Sequence, residues 1–128
     1  MNFYSLLAIG IGATLGAWLR WLLGSLLNQW FPTVPLGTLS ANLIGGLLIG
    51  MTLGAMSYFE ALPIELRLFI TTGFLGGLTT FSTFSAETTT LLLRQQYSWT
   101  LVIISLHLFG SLMLTLLGFF GVKLLLRG

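Results

Sequence analysis

The sequence contains no cysteine and very little charge, with five basic and three acidic side chains in 128 residues. Without cysteine the chain has no disulfides, no thiolate nucleophile and no thiolate ligands for a metal. Five basic residues are too few for a nucleic-acid footprint, so no nucleic-acid partner is expected. Soluble domains carry roughly a quarter charged residues, whereas this chain is 6% charged and 55% hydrophobic. This scarcity excludes a water-covered surface and predicts a membrane protein.

Long apolar runs fill most of the chain. A bilayer core of about 30 Å needs about 20 helical residues, and runs of that length occupy 3–27, 36–59, 66–93 and 98–124. All three prolines and three of the eight charged residues lie between the runs. We predict one all-α domain over residues 1–128 with four transmembrane helices and short loops. The first run has no basic stretch before it and is too long for a signal peptide, so we expect it to stay in the mature protein.

The basic residues give only a weak orientation signal. Four spans put both termini and the second loop on one side, with Arg67, Lys123 and Arg127. The other side has Arg94, and also Arg20 if its side chain leans that way. The positive-inside rule needs a clearer excess. One interpretation is a short protein with its N-terminus inside. The other is a chain that inserts in both directions and pairs with an inverted copy, as the inverted repeats of larger transporters do.

Small residues recur every fourth position in the first two helices. Gly12 and Gly16 share one face of the first helix, and Gly46, Gly50 and Gly54 share one face of the second. Helices in lipid associate through close packing at small residues rather than through hydrophobicity. These glycines therefore predict helix–helix contacts.

The third run holds an unusual stretch, GFLGGLTTFSTFSAETTT, from Gly73 to Thr90. Irregular backbone at membrane depth survives only if it is buried in protein or lines a cavity. We expect the glycines of this stretch (Gly73, Gly76 and Gly77) to open the third helix near 76–80. A break frees backbone carbonyls, which can hold a monovalent cation, and N–H groups, which can help an anion. One subunit supplies too few carbonyls for a cation site, and two copies of the chain would double their number.

Polar side chains form a line on the fourth helix, where His107, Ser111 and Thr115 repeat every fourth residue. Hydroxyl and amide donors without rings of acids suit a small anion that must both enter and leave. The positive ring edges of Phe81 and Phe84 are weak anion partners.

Simpler interpretations stay open for several of these residues. The side chain of Arg20 could reach the membrane interface, and Asn42 could be a hydrogen-bond clip between helices. Phe81 and Phe84 could be apolar bulk, and Glu87 could reach the lipid headgroups.

Three motifs together resemble the Fluc (CrcB-type) family of fluoride channels. They are G-x-x-x-R from Gly16 to Arg20, GTLSAN from Gly37 to Asn42, and GFLGGLTTFSTF from Gly73 to Phe84. The resemblance covers essentially the whole chain, and its third motif is long and specific. It implies a non-enzymatic, fluoride-selective channel in the lipid bilayer of the bacterial inner membrane. That channel would be a dual-topology, antiparallel homodimer with two pores and a central structural sodium ion, and it would export fluoride passively.

The resemblance also implies roles for individual residues. Asn42 would donate to the ion, and Phe81 and Phe84 would present ring edges to it. The fluoride pore would be lined by Asn42, Phe81, Phe84, Ser82, Thr83, His107, Ser111 and Thr115. Arg20 and Glu87 would lie at a vestibule, and the backbone carbonyls of Gly76 and Thr79 would bind sodium.

Two other classes of membrane protein are considered. A small dual-topology, proton-coupled exporter of cationic compounds needs an acid in its first helix, and this helix has Arg20 and no acid. A non-transporting subunit held by its glycine faces would leave the Ser/Thr row of the third helix unexplained.

Overall fold

The computed structural model describes residues 2–127, which form helices and turns without a strand. The helices are α1 (Phe3–Leu27), α2 (Leu36–Met56), α3 (Ile64–Leu68), α4 (Gly76–Leu78), α5 (Phe81–Leu93) and α6 (Tyr97–Arg127). A 3-10 turn, Asn28–Trp30, follows α1, and π-helical turns, Phe69–Leu75, join α3 to α4. The expected all-α class is confirmed for these residues.

Among the described residues, three helices are long and apolar enough to cross a bilayer. They are α1 with its 3-10 turn, α2 and α6, which contain 28, 21 and 31 residues, where about 20 suffice. The chain is therefore a multi-pass membrane protein. The third expected span, 66–93, is divided among α3, the π-helical turns, α4 and α5, so no single long helix forms there.

Two asparagine side chains bind backbone N–H groups at the start of the first two long helices. The Asn2 side chain accepts the N–H of Ser5 at 2.8 Å and so caps α1. Asn28 Oδ1 accepts the N–H groups of Gly37 at 2.8 Å and Thr38 at 3.3 Å. These bonds satisfy N–H groups that have no partner within the helix itself. The second one also fixes the end of α1 against the start of α2.

The third segment breaks at Thr79 and Thr80. Thr79 leaves the helix with ψ 154°, and Thr80 is extended with φ −149° and ψ 113°. Thr80 then caps α5, because its hydroxyl oxygen accepts the N–H of Thr83 at 3.1 Å. The break thus lies at the carboxyl end of the expected range, 76–80.

The glycines do not make this break, which corrects the sequence interpretation. Gly73 and Gly77 lie inside helical turns. A Cβ atom on Gly73 would lie 2.9 Å from the carbonyl oxygen of Ile9, and one on Gly77 would collide with the carbonyl of Ala13. Their function is close packing on α1. The break follows them, where two threonines take extended backbone.

The glycine stripes pack helices together, as their spacing predicts. On α1, Gly12 and Gly16 contact the backbone of the third segment, and on α2 the stripe contacts α6. Cβ atoms on Gly46 and Gly54 would lie 2.9 Å and 2.8 Å from carbonyl oxygens of Ser111 and Phe119. This approach allows direct contact between the α2 and α6 backbones and determines which α6 residues face α2.

Candidate functional site

A cavity of about 480 Å³ lies where α2, α6 and the broken third segment meet. The predicted site residues that line it are Asn42, Gly76, Thr79, Phe81, Phe84, His107 and Ser111. The remaining predicted residues lie outside this lining, and they are Arg20, Ser82, Thr83, Glu87 and Thr115. The structure therefore brings together the amide, the rings, the imidazole and the two backbone positions expected to bind the cation.

Asn42 holds the break in place. Its Oδ1 accepts the N–H of Thr80 at 2.8 Å, and its Nδ2 donates to the Thr80 carbonyl at 3.1 Å. Thr80 is 9% exposed, and its backbone groups have left the helical ladder, so they need partners. Asn42 supplies both, which agrees with its interpretation as an interhelical clip.

His107 lies beside this pair on α6. Its Nδ1 is 3.0 Å from Asn42 Nδ2. Its ring packs against the Phe84 ring with centroids 4.6 Å apart and planes tilted by 37°. The side chain is 5% exposed. Asn42 therefore joins the broken segment to α6 through one side-chain amide.

The two phenylalanines have different surroundings. Their rings meet edge to face, with centroids 5.6 Å apart. Phe84 is half-buried and packs on a cluster that contains Val34 and Ile103. Phe81 is 80% exposed in the isolated chain. One ring of the pair is held by the protein's own core, and the other extends from its surface.

The polar line on α6 is only partly directed to the cavity. His107 and Ser111 line it. The Thr115 hydroxyl instead contacts two backbone carbonyls, those of Gly46 and Ser111, each at 2.8 Å. Because a hydroxyl has one hydrogen, Thr115 has no further donor for an ion in this arrangement.

Ser82 and Thr83 belong to the cap of α5. The Thr80 hydroxyl donates to the Thr83 hydroxyl at 3.0 Å and lies 3.4 Å from that of Ser82. The three hydroxyls thus cluster at the amino end of α5, outside the cavity lining. Their expected contact with an ion remains a prediction.

Arg20 connects α1 to the third segment. Its Nε donates to the carbonyl of Gly77 at 3.1 Å. In a continuous α-helix that carbonyl would bond to the N–H of residue 81, on the other side of the break. Arg20 therefore stabilises a backbone carbonyl beside the break. Its expected place at a vestibule remains a prediction.

Glu87 lies at a second, smaller cavity of about 270 Å³, which Arg94 and Thr90 also line. Its Oε2 accepts a hydrogen bond from the Thr38 hydroxyl at 2.7 Å. Thr38 is in the first turn of α2, where the helix dipole favours negative charge. This contact holds α5 to the amino end of α2.

Comparison with known proteins identifies the family. A family model described as "CrcB-like protein, Camphor Resistance (CrcB)" matches residues 7–119. The chain belongs to the CrcB family. A protein of Nitrosospira multiformis is 64% identical over 123 residues, which is 96% of each chain. Proteins of Burkholderia cenocepacia and Pseudomonas syringae pv. maculicola are each 53% identical over 121 residues, covering 94% of this chain and 94% and 95% of their own. All three relatives are named "Fluoride-specific ion channel FluC", and the resemblance stated from the motifs is confirmed.

Two residues of this CrcB-family chain were missed as site residues from the sequence. Thr80 provides the backbone that Asn42 binds, and Thr38 binds Glu87. Thr38 had a detectable signal, because it precedes Asn42 by four residues and so lies on the same face of α2. Thr80 had a weaker signal, since threonine is one of the residues favoured at a helix N-cap.

The expected sodium ligands, the backbone carbonyls of Gly76 and Thr79, have one feature that suits a cation, which is the loss of their helical hydrogen bonds. The N–H of Thr80 would bond to the Gly76 carbonyl in a continuous helix, and it donates to Asn42 instead. Thr79 has extended backbone at the end of α4. Both carbonyl oxygens have therefore lost their helical partners. Such oxygens are suitable ligands for a hard monovalent cation.

Proposed function

We propose that this chain forms a fluoride-selective channel that exports fluoride passively across the bacterial inner membrane. The observation that carries the proposal is the lining of the larger cavity, where an amide, an imidazole, a hydroxyl and two phenylalanine rings meet. Among residues 2–127, no Asp, Glu, Lys or Arg side chain lines that cavity. The names of the FluC relatives support fluoride as the ion.

The lining suits a small anion because it offers neutral donors. An anion entering a dry passage must exchange its water for hydrogen-bond donors, and a fixed cation would bind it too tightly to let it leave. Phenylalanine edges carry partial positive charge and add a weak attraction. The lining therefore replaces hydration without trapping the ion.

A second copy of the chain completes the pore in this proposal. Phe81 is 80% exposed although it belongs to the expected pore. In an antiparallel homodimer a given pore would use Phe81 of one subunit and Phe84 of the other, which gives two pores. Only five Lys and Arg residues are present, and their weak asymmetry between the two sides is compatible with insertion in both directions.

The dimer would also complete the cation site. Gly76 and Thr79 supply two backbone carbonyls per chain, and their counterparts in the second copy would double the number. A central sodium ion supplies a fixed positive charge that holds the two broken segments together. In this proposal it is structural and does not move through the pore.

The physiological role follows from the chemistry of hydrogen fluoride. The neutral acid enters from acidic surroundings, dissociates inside and leaves an anion that cannot diffuse out. A passive pore lets that anion leave down its gradient. This function requires neither an enzymatic step nor a coupled ion.

Fluoride efflux from proteoliposomes tests the proposal. Purified full-length protein should release fluoride and not chloride, with protein-free liposomes as the blank. Chloride release equal to fluoride release would contradict fluoride selectivity. Transport of a guanidinium compound driven by a proton gradient, without fluoride release, would instead indicate the small exporter.

Two further measurements test assembly and sodium. Replacing sodium with a large organic cation during purification and assay should lower fluoride efflux. Unchanged efflux would contradict the proposal that a structural sodium ion is required. Cross-linking between cysteines introduced at opposite helix ends should trap antiparallel pairs. If only parallel pairs are trapped, the proposed antiparallel arrangement of the dimer is wrong.

A further inference from the structure

The orientation of the Asn42 amide is determined by the backbone of Thr80. A backbone N–H can only donate and a carbonyl can only accept. The side-chain atom 2.8 Å from the Thr80 N–H must therefore be oxygen, and the atom 3.1 Å from the Thr80 carbonyl must be nitrogen. The assignment of amide oxygen and nitrogen is often ambiguous, but here the backbone groups of Thr80 allow only one orientation.

This orientation determines where the proton of His107 lies. Asn42 Nδ2 has two hydrogens, and one of them goes to Thr80. The other faces His107 Nδ1 at 3.0 Å. Because Nδ2 is a donor, Nδ1 must accept and cannot carry a proton. The imidazole is then neutral, with its hydrogen on Nε2.

The Nε2–H group is a buried donor. It makes no hydrogen bond within residues 2–127, and the His107 side chain is 5% exposed. Nearly all buried polar groups have a partner, so an unpaired one needs an explanation. His107 lines the larger cavity beside Phe84, which is where the pore is proposed.

We infer that Asn42 is a positioning residue, which holds His107 in the tautomer whose Nε2–H donates to the anion in the pore. The identity of the anion rests on the proposed function, whereas the tautomer rests on geometry alone. Both amide hydrogens of Asn42 are already used, so the free donor belongs to His107. This differs from the sequence-based expectation that Asn42 itself donates to the ion.

The protein's single histidine makes the tautomer directly measurable. Full-length protein is labelled with ¹⁵N-histidine, freed of any histidine tag and reconstituted in lipid for solid-state NMR. We expect one unprotonated nitrogen assigned to Nδ1 and one protonated nitrogen assigned to Nε2. A protonated Nδ1, in either the other neutral tautomer or the imidazolium, overturns the inference.

Fluoride addition tests the donor role. In wild-type protein, fluoride should shift the Nε2 resonance more than the Nδ1 resonance, and an equal concentration of chloride should shift neither. Equal or absent shifts with fluoride overturn the donor assignment. His107→Leu should lose at least about tenfold in fluoride efflux, the order expected for a lost hydrogen bond to a charged group. His107→Gln, which keeps an N–H donor, should retain more, and equal losses would also count against the donor.

A change at Asn42 tests the positioning role. Asn42→Asp replaces the Nδ2 donor with an acceptor, so Nδ1 of His107 should become protonated. Thr52→Val is the control, because the Thr52 hydroxyl bonds only to its own helix, at the Leu48 carbonyl, and the wild-type tautomer should persist. An unchanged tautomer in Asn42→Asp overturns the positioning role. If Asn42→Asp does not fold, the wild-type spectrum still tests the positioning role, because a protonated Nδ1 is incompatible with donation from Asn42 Nδ2 and overturns it.

The two proposals fail in different ways. Protein with Nε2–H and no fluoride efflux would contradict the channel and the donor role, and would leave the geometric tautomer intact. Protein that conducts fluoride with Nδ1 protonated would contradict the positioning role and leave the channel intact.

Discussion

Asn42 binds both backbone groups of Thr80, accepting its N–H at 2.8 Å and donating to its carbonyl at 3.1 Å. The two residues are 38 positions apart in the chain. This pair explains how a membrane segment can be interrupted without leaving its polar backbone unpaired. The same side-chain amide contacts the backbone at the break and the imidazole of His107, and it lines the cavity.

Asn42→Asp should abolish most fluoride efflux. The carboxylate accepts the Thr80 N–H, but it repels the Thr80 carbonyl and cannot donate to His107. An unsatisfied buried group costs about 1–3 kcal/mol, which corresponds to about a fivefold to hundredfold effect. The measurement is the initial rate of efflux from proteoliposomes at equal protein content, with Thr52→Val as control. A wild-type rate of fluoride efflux in Asn42→Asp would show that Asn42 has no role in conduction.

Phe81→Ile should lower fluoride efflux while the dimer persists. Isoleucine keeps apolar bulk and loses the positive ring edge that attracts the anion. Phe109→Ile is the matched control, because Phe109 is 62% exposed and does not line the cavity. Efflux and cross-linking are measured on the same preparations. Equal rates in the two variants would show that the Phe81 ring has no role in conduction.

Thr38 and Glu87 should be energetically coupled. Thr38→Val removes the hydroxyl that donates to Glu87 Oε2, and this should lower the free energy of unfolding by about 1.5–3 kcal/mol, the range for hydrogen bonds to charged groups. With Glu87→Gln present, the bond is neutral and its loss should cost about 0.5–1.5 kcal/mol. Unfolding in detergent of the four proteins of this double-mutant cycle gives the coupling. Additive effects would show that the charge of Glu87 adds nothing to the strength of this contact.

The sequence predicted the elements better than the contacts between them. Apolar runs located the helices because span length follows from bilayer thickness, and glycine spacing identified the packing faces. The position of the break was also approximately predictable. Its cause was not, because the glycines pack on α1 and the interruption depends on Asn42, which is distant in the sequence.

The polar residues illustrate the same limit. The i, i+4, i+8 spacing placed His107, Ser111 and Thr115 on one face of α6. It could not show that the Thr115 hydroxyl bonds across to Gly46, 69 positions away. Such partners depend on how closely α2 approaches α6, which only the packed structure determines.

Gly16→Ala should destabilise the protein, and Gly10→Ala should not. A Cβ atom on Gly16 would collide with the Phe74 carbonyl and lie 2.7 Å from the amide nitrogen of Leu78. Overpacking of this kind costs about 1–3 kcal/mol. A Cβ on Gly10, on the same helix, meets nothing within 4 Å, and alanine should stabilise α1 there by about 0.5–1 kcal/mol. Thermal unfolding in detergent compares the two, and equal shifts would contradict close packing at Gly16.

Gln95→Gly should stabilise the protein, because Gln95 has φ 60°, a left-handed conformation that most residues adopt with strain. It follows the end of α5 in a turn where the Gln95 N–H bonds to the Leu92 carbonyl and the Gln96 N–H to the Leu91 carbonyl, each at 3.0 Å. This is the bonding that usually accompanies glycine at a helix end.

Glycine at position 95 relieves about 1–2 kcal/mol of strain and loses about 0.4–1 kcal/mol through greater freedom of the unfolded chain. A net gain should appear as a higher unfolding temperature in detergent. Gln95→Ala keeps the strain and should give no gain, and Gln96→Gly should destabilise. A lower unfolding temperature for Gln95→Gly than for Gln95→Ala would show that the glutamine side chain stabilises this turn by more than its backbone strain costs.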